Sequence, residues 1–403
     1  MLFLKICGGT WENASRDKRE LSVYREMGYE VAVLAKGEAT DRGRTETVDG
    51  FTVYRYTTKP CGTKAPGAIN RPISLIKWAM FAKKLRPDVI SGHDMMPGLT
   101  IGWLARLFSF YRFKRKPKLI YDSHEFEIGR NTNRKSGAER FVRRWEKFLI
   151  KRSAFMIVVN QSIAEAVKNE YNLSSDPVVL RSIPEKWAID REACRRQREE
   201  FLGGFETQGI RKILMFHGNL GDGNGIEDII PVLKTNRELG LVLLGKRTDE
   251  ETYRRITAIA GENGVTGQML IHPAVPIEEL RKYIGAVDIE LMPIVPIVKS
   301  YYYVLPNKFF EAIQAETPII ASDLPEMRKL TDEYGVGLIC QPGDTESIRA
   351  CVEQLLGDEI LYARCKARLA KAKDELCWEN EKKVLIDAVR KRITHEAEET
   401  GDR

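Results

Sequence analysis

The 403-residue sequence contains no apolar run of the roughly 18 to 20 residues that a membrane-crossing helix requires. Its opening, MLFLKICGG, lacks the basic start and long apolar stretch of a secretory signal. The expectation is a cytoplasmic protein, with contact at the inner membrane face as the alternative kept open. Seven cysteines, at 7, 61, 194, 340, 351, 365 and 377, show no metal-ligand or redox spacing, and an odd number cannot close into a secreted disulfide framework. The five histidines are scattered without an HExxH or comparable grouping, so no metal site is expected. No GxGxxG follows the first apolar run, which argues against a dinucleotide; no cofactor is expected.

What is present is the balance of an ordinary soluble protein, 43% hydrophobic and 30% charged, at a length that favours two domains over one core. Charge is uneven. Residues 1–180 carry 32 Lys+Arg against 19 Asp+Glu, whereas 181–403 carry 32 against 38. A basic half joined to a mildly acidic one points to an anionic surface or substrate on one side only.

Short β-branched runs alternate with longer helix-periodic segments, the βαβ rhythm of parallel sheets covered on both faces. Strands are expected at 2–7, 30–35, 51–56, 89–92, 118–122, 155–159 and 178–180, then at 213–217, 241–244, 269–272, 288–293, 318–321 and 337–340. The polar stretch 181–209 reads as a linker. The expected division is a Rossmann-like domain at 1–180, a linker at 181–209, a second Rossmann-like domain at 210–375, and a terminal helix and tail at 376–403, the helix long enough to reach the first domain. The fold class is α/β, with two doubly wound parallel sheets and a cleft between the domains.

In such sheets ligands bind beyond the carboxyl ends of the strands, where first-turn amides of the following helices point inward. The segment LPNKFFEAIQAETPIIASD (305–323) enters a short helix at Pro306 and Asn307, with Phe309, Phe310 and Ile313 facing a core. Lys308 in the first turn opposes the helix macrodipole by a few tenths of a kcal/mol, a cost that vanishes when an anion binds there. Glu311, on the same face, can accept hydrogen bonds from a pair of hydroxyls; the simpler alternative is an exposed i,i+3 pair of Lys308 with Glu311.

Residue by residue, 305–323 resembles the signature of the retaining GT-B glycosyltransferases of family 4 (glycosyl transferases group 1): a glutamate, seven residues, a second glutamate, then a small-residue helix and a Pro-Val-Ile-Ala strand. The resemblance implies that Glu311, matching the second glutamate, holds the donor ribose, and that Pro306 and Asn307 form the turn over the diphosphate. The first glutamate falls on Tyr303. In ILMFHGNLGDGNGIEDII (213–230), a strand, Gly-rich turn and helix, Gly218 belongs to the turn, and Asn219 and Asn224 stand where the family carries an arginine and a lysine for the diphosphate. A Gly-rich turn with no ligand is the alternative there. Gly245, at the end of the next strand, joins the donor set.

In the first domain, His124 of LIYDSHEFEIG matches the histidine the family turns toward the transferred sugar, and with Lys308 it forms the expected catalytic pair. His93 and Asp94 occupy the neighbouring strand end and are candidates for the acceptor side, with a structural role equally open. CGGTWENASRDKRE matches the loop that in the resembling family lies under the donor phosphates and beside the acceptor, which makes Gly9 a candidate on the donor side and Asn13 and Arg16 candidates on the acceptor side.

Two basic stretches remain. RLFSFYRFKRKPK (106–118) has six cations and no acid, and RFVRRWEKFLIKR (140–152) places Phe141, Trp145, Phe148 and Leu149 on one helical face. Such a helix either lies on anionic lipid, at about 1 kcal/mol per basic residue near the surface, or packs on its own sheet. Neither stretch forms a nucleic-acid recognition motif, so no nucleic-acid partner is expected.

The resulting expectation is a metal-independent hexosyltransferase that moves a sugar from a UDP- or GDP-sugar donor to the hydroxyl of a glycan or lipid-linked acceptor, in surface polysaccharide or glycolipid synthesis. By the resemblance, the transfer proceeds with retention. The alternatives are a catalytically silent GT-B protein that binds a glycan or assists a partner, and a nucleotide-sugar epimerase.

Overall fold

The computed structural model describes residues 1–9, 11, 14–109, 116–127, 136–246 and 250–394. It divides into two compact units, one of 1–181 with 382–403, the other of 182–381.

In the first unit the described residues form an eight-stranded sheet in the order β3-β4-β2-β1-β5-β6-β7-β8. The strands are β1 (Leu2–Cys7), β2 (Glu30–Gly37), β3 (Arg42–Val48), β4 (Phe51–Thr57), β5 (Val89–His93), β6 (Lys118–Asp122), β7 (Phe155–Val158) and β8 (Val178–Val179). All pairings are parallel except that of β3 with β4. The covering helices are α1 (Ser15–Glu26), α2 (Gly67–Lys84), α3 (Thr100–Phe108), α4 (Ser136–Ile150) and α5 (Gln161–Tyr171). Because the order reverses between β1 and β5, the carboxyl ends of those two strands flank the place where helices part and a ligand can enter.

The second unit holds a six-stranded, wholly parallel sheet in the order β11-β10-β9-β12-β13-β14. Its elements in chain order are α6 (Arg191–Gly204), β9 (Lys212–Asn219), α7 (Ile226–Ile229), β10 (Leu239–Lys246), α8 (Glu250–Glu262), β11 (Met269–Pro273), α9 (Ile277–Gly285) and β12 (Ile289–Met292). They continue with α10 (Lys299–Tyr302), α11 (Asn307–Gln314), β13 (Ile319–Ser322), α12 (Pro325–Tyr334), β14 (Gly337–Cys340), α13 (Thr345–Gly357) and α14 (Glu359–Glu375). The reversal here lies between β9 and β12. Two apolar layers sandwich the sheet: Met215, Met292, Phe309, Phe310 and Ile313 on one side, and Leu214, Phe216, Ile229, Leu243 and Val352 on the other.

Two segments differ from the sequence reading. Strand β3 was not expected, because RGRTETV is half exposed and polar, yet Asp49-Gly50 after it has φ of 52° and 74° at its two residues, the conformation of a tight hairpin turn. The stretch 181–209, expected as a linker, belongs to the second unit from Ser182 onward. Its helix α6 starts at Asp190, whose side chain accepts from the backbone N–H of Glu192 and Ala193, both at 3.0 Å, and it buries Cys194, Gln197 and Phe201. The final helix, α15 (Trp378–Val389), begins in the second unit and ends in the first.

Candidate active site

In the second unit the site grows from three chain segments at the carboxyl end of the sheet. Strand β9 carries His217, Gly218 and Asn219; β12 carries Glu290; α11 carries Lys308 and Glu311. The turn after β9 is braced from within: Asn219 Oδ1 accepts from the N–H of Gly221 at 3.0 Å, and Asn224 Nδ2 donates to the carbonyl of Gly221 at 3.1 Å. Gly225 is left-handed, with φ of 70°, and a Cβ there would overlap the carbonyl oxygen of Pro293. Gly245 pairs with Gly218 across β10 and β9, and a Cβ on Gly245 would overlap the Gly218 carbonyl. The glycine therefore allows the two strand ends to close on each other.

Pro306 stands immediately before α11, and Asn307 is its first residue. Phe309, Phe310, Ala312 and Ile313 are fully buried and fix the helix against the sheet. Lys308 and Glu311 are not an exposed pair. Lys308 is only 8% exposed, its Nζ lies 3.7 Å from the centre of the Phe216 ring, and it makes no ion pair within 4 Å among the described residues. Burial pushes its pKa down to about 7, against the pull of Glu290 and Glu311.

Glu311 instead meets His217, whose Nε2 lies 2.8 Å from Glu311 Oε2. On the other side of the ring, His217 Nδ1 is 2.8 Å from Glu290 Oε1, which also accepts from the His217 backbone N–H at 3.2 Å. A ring with a carboxylate at each nitrogen donates from both and is an imidazolium. Burial opposes that charge, but the two carboxylates outweigh it and raise the pKa to about 9. Glu290 is fully buried, and its Oε2 has no hydrogen-bond partner.

The first unit gathers a second charged cluster, at the ends of β1, β5 and β6 and the start of α1. Lys5 Nζ sits 2.7 Å from Asp17 Oδ1, in direct contact with Asp122, and 3.5 Å from Glu20. Arg16 reaches Glu20 at 2.7 Å and Asp122 at 3.4 Å. His93 Nδ1 is 3.2 Å from Asp17, His124 Nε2 is 3.1 Å from Asp122, and the two imidazole rings are 3.8 Å apart. Asp94 accepts from the backbone N–H of His124 at 3.1 Å. Burial disfavours a charged His93, yet its bond to Asp17 raises its pKa. Burial would also raise Asp17 and Asp122, but Lys5 foremost holds both carboxyls below the usual range. Asp17, His93, Asp122 and His124 have the ligand types and the closeness of a metal site; the position between the two carboxylates is taken by the Lys5 ammonium.

The expected residues thus fall into two groups. His124, Arg16, His93 and Asp94 come together in the first unit; Lys308, Glu311, Pro306, Asn307, Gly218, Asn219, Asn224 and Gly245 lie at the strand ends of the second. Gly9 is exposed beyond β1, with open space where a Cβ would stand, and Asn13 lies outside the described residues. Lys5, Asp17, Glu20, His217 and Glu290 were missed. For Lys5, His217 and Glu290 the signal was a lone charge or imidazole in an otherwise apolar strand, as in LFLKIC, ILMFHG and DIELMP, where burial without a partner is costly, whereas Asp17 and Glu20 sit among the charges of α1 and carried no such signal.

Of the amphipathic face at 140–152, Trp145 and Phe148 pack on each other and on Trp103, Trp145 Nε1 donates to Thr100 Oγ1 at 3.1 Å, and Leu149 is fully buried. Phe141, 67% exposed, stands out from it. In the other basic stretch, 110–115 lie outside the described residues. No described helix is long and apolar enough to cross a membrane.

Two Rossmann-like α/β units of this kind define the GT-B class of glycosyltransferases, and the comparisons with known proteins agree. The profile for Glycosyltransferase Family 4 matches residues 21–181, and that for Glycosyl transferases group 1 matches residues 211–358. The chain belongs to this family of glycosyltransferases. An uncharacterized glycosyltransferase of Methanocaldococcus jannaschii is 24% identical over 384 residues, covering 88% of this chain and 90% of the relative. In fold, sucrose-phosphate synthase from Thermosynechococcus elongatus matches with a TM-score of 0.76 at 16% identity, covering 98% of this chain and 100% of that one. HepE of Anabaena, solved in complex with UDP and glucose, matches with a TM-score of 0.73 at 13% identity, covering 97% and 100%.

Proposed function

We propose that the protein transfers a hexosyl group from a nucleotide-diphosphate sugar to an acceptor hydroxyl, without a metal ion and with retention, in the synthesis of a surface polysaccharide or glycolipid. The observation that carries this reading is Lys308, a buried amine with no ion-pair partner among the described residues, at the start of a helix whose first-turn amides no side chain caps. An anion is the missing partner. The donor diphosphate would lie against the start of α11 and the turn at 218–225, where fixed amides and Lys308 meet the charge that develops on the leaving group. Glu311 would accept from the ribose hydroxyls. His124 would face the transferred sugar, with Arg16, His93 and Asp94 toward the acceptor. A metal is not needed for leaving-group charge when an ammonium and helix amides supply it, and the Lys5 ammonium serves as the cation of the acid-rich cluster. HepE, solved with UDP and glucose, has the same fold, which supports a nucleotide-sugar donor.

A thermal-shift screen with UDP, GDP, ADP and their sugars, followed by calorimetry, tests the reading. One nucleotide should raise the melting temperature, and Glu311→Ala should weaken it about tenfold or more, the effect of removing a charged acceptor from two hydroxyls. An unchanged affinity in that variant would remove Glu311 from the donor site. Slow hydrolysis of the matching nucleotide sugar separates an enzyme from a silent binder, and isomerised sugar in the absence of acceptor would mark an epimerase.

Contact with anionic lipid is supported by Phe141, which projects beside the exposed Arg140 and Arg144 of α4. Co-sedimentation with vesicles containing 30% phosphatidylserine should fall about tenfold in Phe141→Ala/Arg144→Ala, one aromatic and one charge together contributing roughly 1–2 kcal/mol. Equal sedimentation of both proteins would discard the contact.

A further inference from the structure

We propose that His217, backed by Glu290, is a positioning residue that fixes the Glu311 carboxylate for the ribose diol of the donor nucleotide. The inference rests on the reading of Glu311 as the ribose acceptor and adds what makes that carboxylate competent.

The first argument is geometric. His217 Nε2 holds Glu311 Oε2 at 2.8 Å, which fixes the side chain and leaves Oε1 to accept from neighbouring hydroxyls. The second is the cost of the arrangement. Glu290 occupies a fully buried place in β12, paired with β9 and β13, where an aliphatic residue would suffice for packing. Its Oε1 accepts twice from His217 while its Oε2 goes without a partner. A buried carboxylate with an unmet oxygen lowers stability unless it serves something else, and what it touches is the ring that holds Glu311.

The third argument concerns Lys308. It stands three residues before Glu311 on α11, a spacing at which the two would ordinarily pair. Instead the imidazolium takes the carboxylate, and the ammonium lies over Phe216 without a carboxylate within 4 Å among the described residues. His217 thus separates two opposite charges on one helix face, so that one is free for hydroxyls and the other for an anion. No comparable device follows from Asn219 and Asn224, whose side chains are turned onto Gly221.

The test is the ratio of affinities for a nucleoside diphosphate and its 2′,3′-dideoxy analogue, measured by calorimetry with whichever of UDP, GDP or ADP binds. The ratio isolates the ribose contact, because losses in folding or phosphate binding affect both ligands alike. The wild-type protein should prefer the ribonucleotide at least tenfold, about the worth of one charged hydrogen bond. Glu311→Ala should bring the ratio below threefold, and so should His217→Leu/Glu290→Leu, a pair of changes that removes both buried partners and leaves no new unpaired charge between them. His217→Gln, whose amide can still donate toward Glu311, should keep an intermediate ratio. If the ratio survives in His217→Leu/Glu290→Leu but collapses in Glu311→Ala, the positioning role is overturned and the ribose contact stands. If Glu311→Ala leaves the ratio untouched, or no nucleotide discriminates at all, both fail.

Discussion

Replacing Lys5 by methionine should lower stability at pH 7 by about 3–5 kcal/mol, the usual result of removing one partner from a buried ion pair. The ammonium is 1% exposed and lies among Asp17, Glu20 and Asp122, so the variant leaves three buried carboxylates with Arg16 and the imidazoles of His93 and His124 as their remaining partners. The pH dependence is the sharper signature. In the wild-type protein the folded pKa values of Asp17 and Asp122 are depressed, so their contribution is present above the ordinary carboxylate pKa, near 4, and is lost only as pH falls below it. Between pH 8 and 5 the wild-type melting temperature should therefore show no gain from these groups. In Lys5→Met the same carboxylates are crowded and prefer to be protonated, so the variant should regain stability over that interval. A melting curve of Lys5→Met parallel to wild type from pH 8 to 5 would show that the cluster does not depend on this ammonium.

The second large effect belongs to Lys308. Lys308→Met should slow turnover by about 10²–10³, the range seen when one preorganised donor to a developing anion is removed. Burial holds the amine near pKa 7, so at pH 8 it is largely neutral in the free protein. A bound diphosphate would raise that pKa, and the amine would take up a proton. Calorimetry at pH 8 in buffers of different ionisation enthalpy should accordingly find close to one proton bound per nucleotide in wild type and none in the variant. Equal uptake in both proteins would assign the proton to another group and remove the ammonium from the leaving-group site.

How far the sequence revealed these features depends on the kind of signal each one carries. The parallel strands were legible because buried strands are written as short β-branched runs, and β1, β6, β7 and β14 fall within a residue of their expected limits. Strand β3 was not, since an edge strand with one solvated face shows mostly polar residues, although its Asp-Gly turn was in plain view. Helix α6 was hidden by its charge: it buries only Cys194, Gln197 and Phe201 and otherwise looks like solvated chain.

At the site, Lys308 was found because a cation in the first turn of a helix conflicts with the macrodipole. The partners of Glu311 were not. His217 lies 94 positions from Glu311 and 73 from Glu290, so their meeting depends on β9 and β12 lying side by side. His93 and Asp122 likewise meet because β5 and β6 lie side by side, and α1 brings Asp17 to them. Adjacency across a sheet is set by strand order, which local periodicity does not encode, whereas an isolated charge in an apolar strand is visible and calls for a partner somewhere.

The chain contributes to its first unit twice, at 1–181 and again from 382 onward. In topological terms the second unit is a guest inserted into a host. A fragment of 182–381 is one uninterrupted length that can be expressed as a single piece. The host has no such version: cutting after 181 deprives it of its returning segment, including Ile393, whose carbonyl receives Lys118 Nζ at 3.1 Å. Dissection of this protein therefore calls for excising the guest and rejoining the host across the gap.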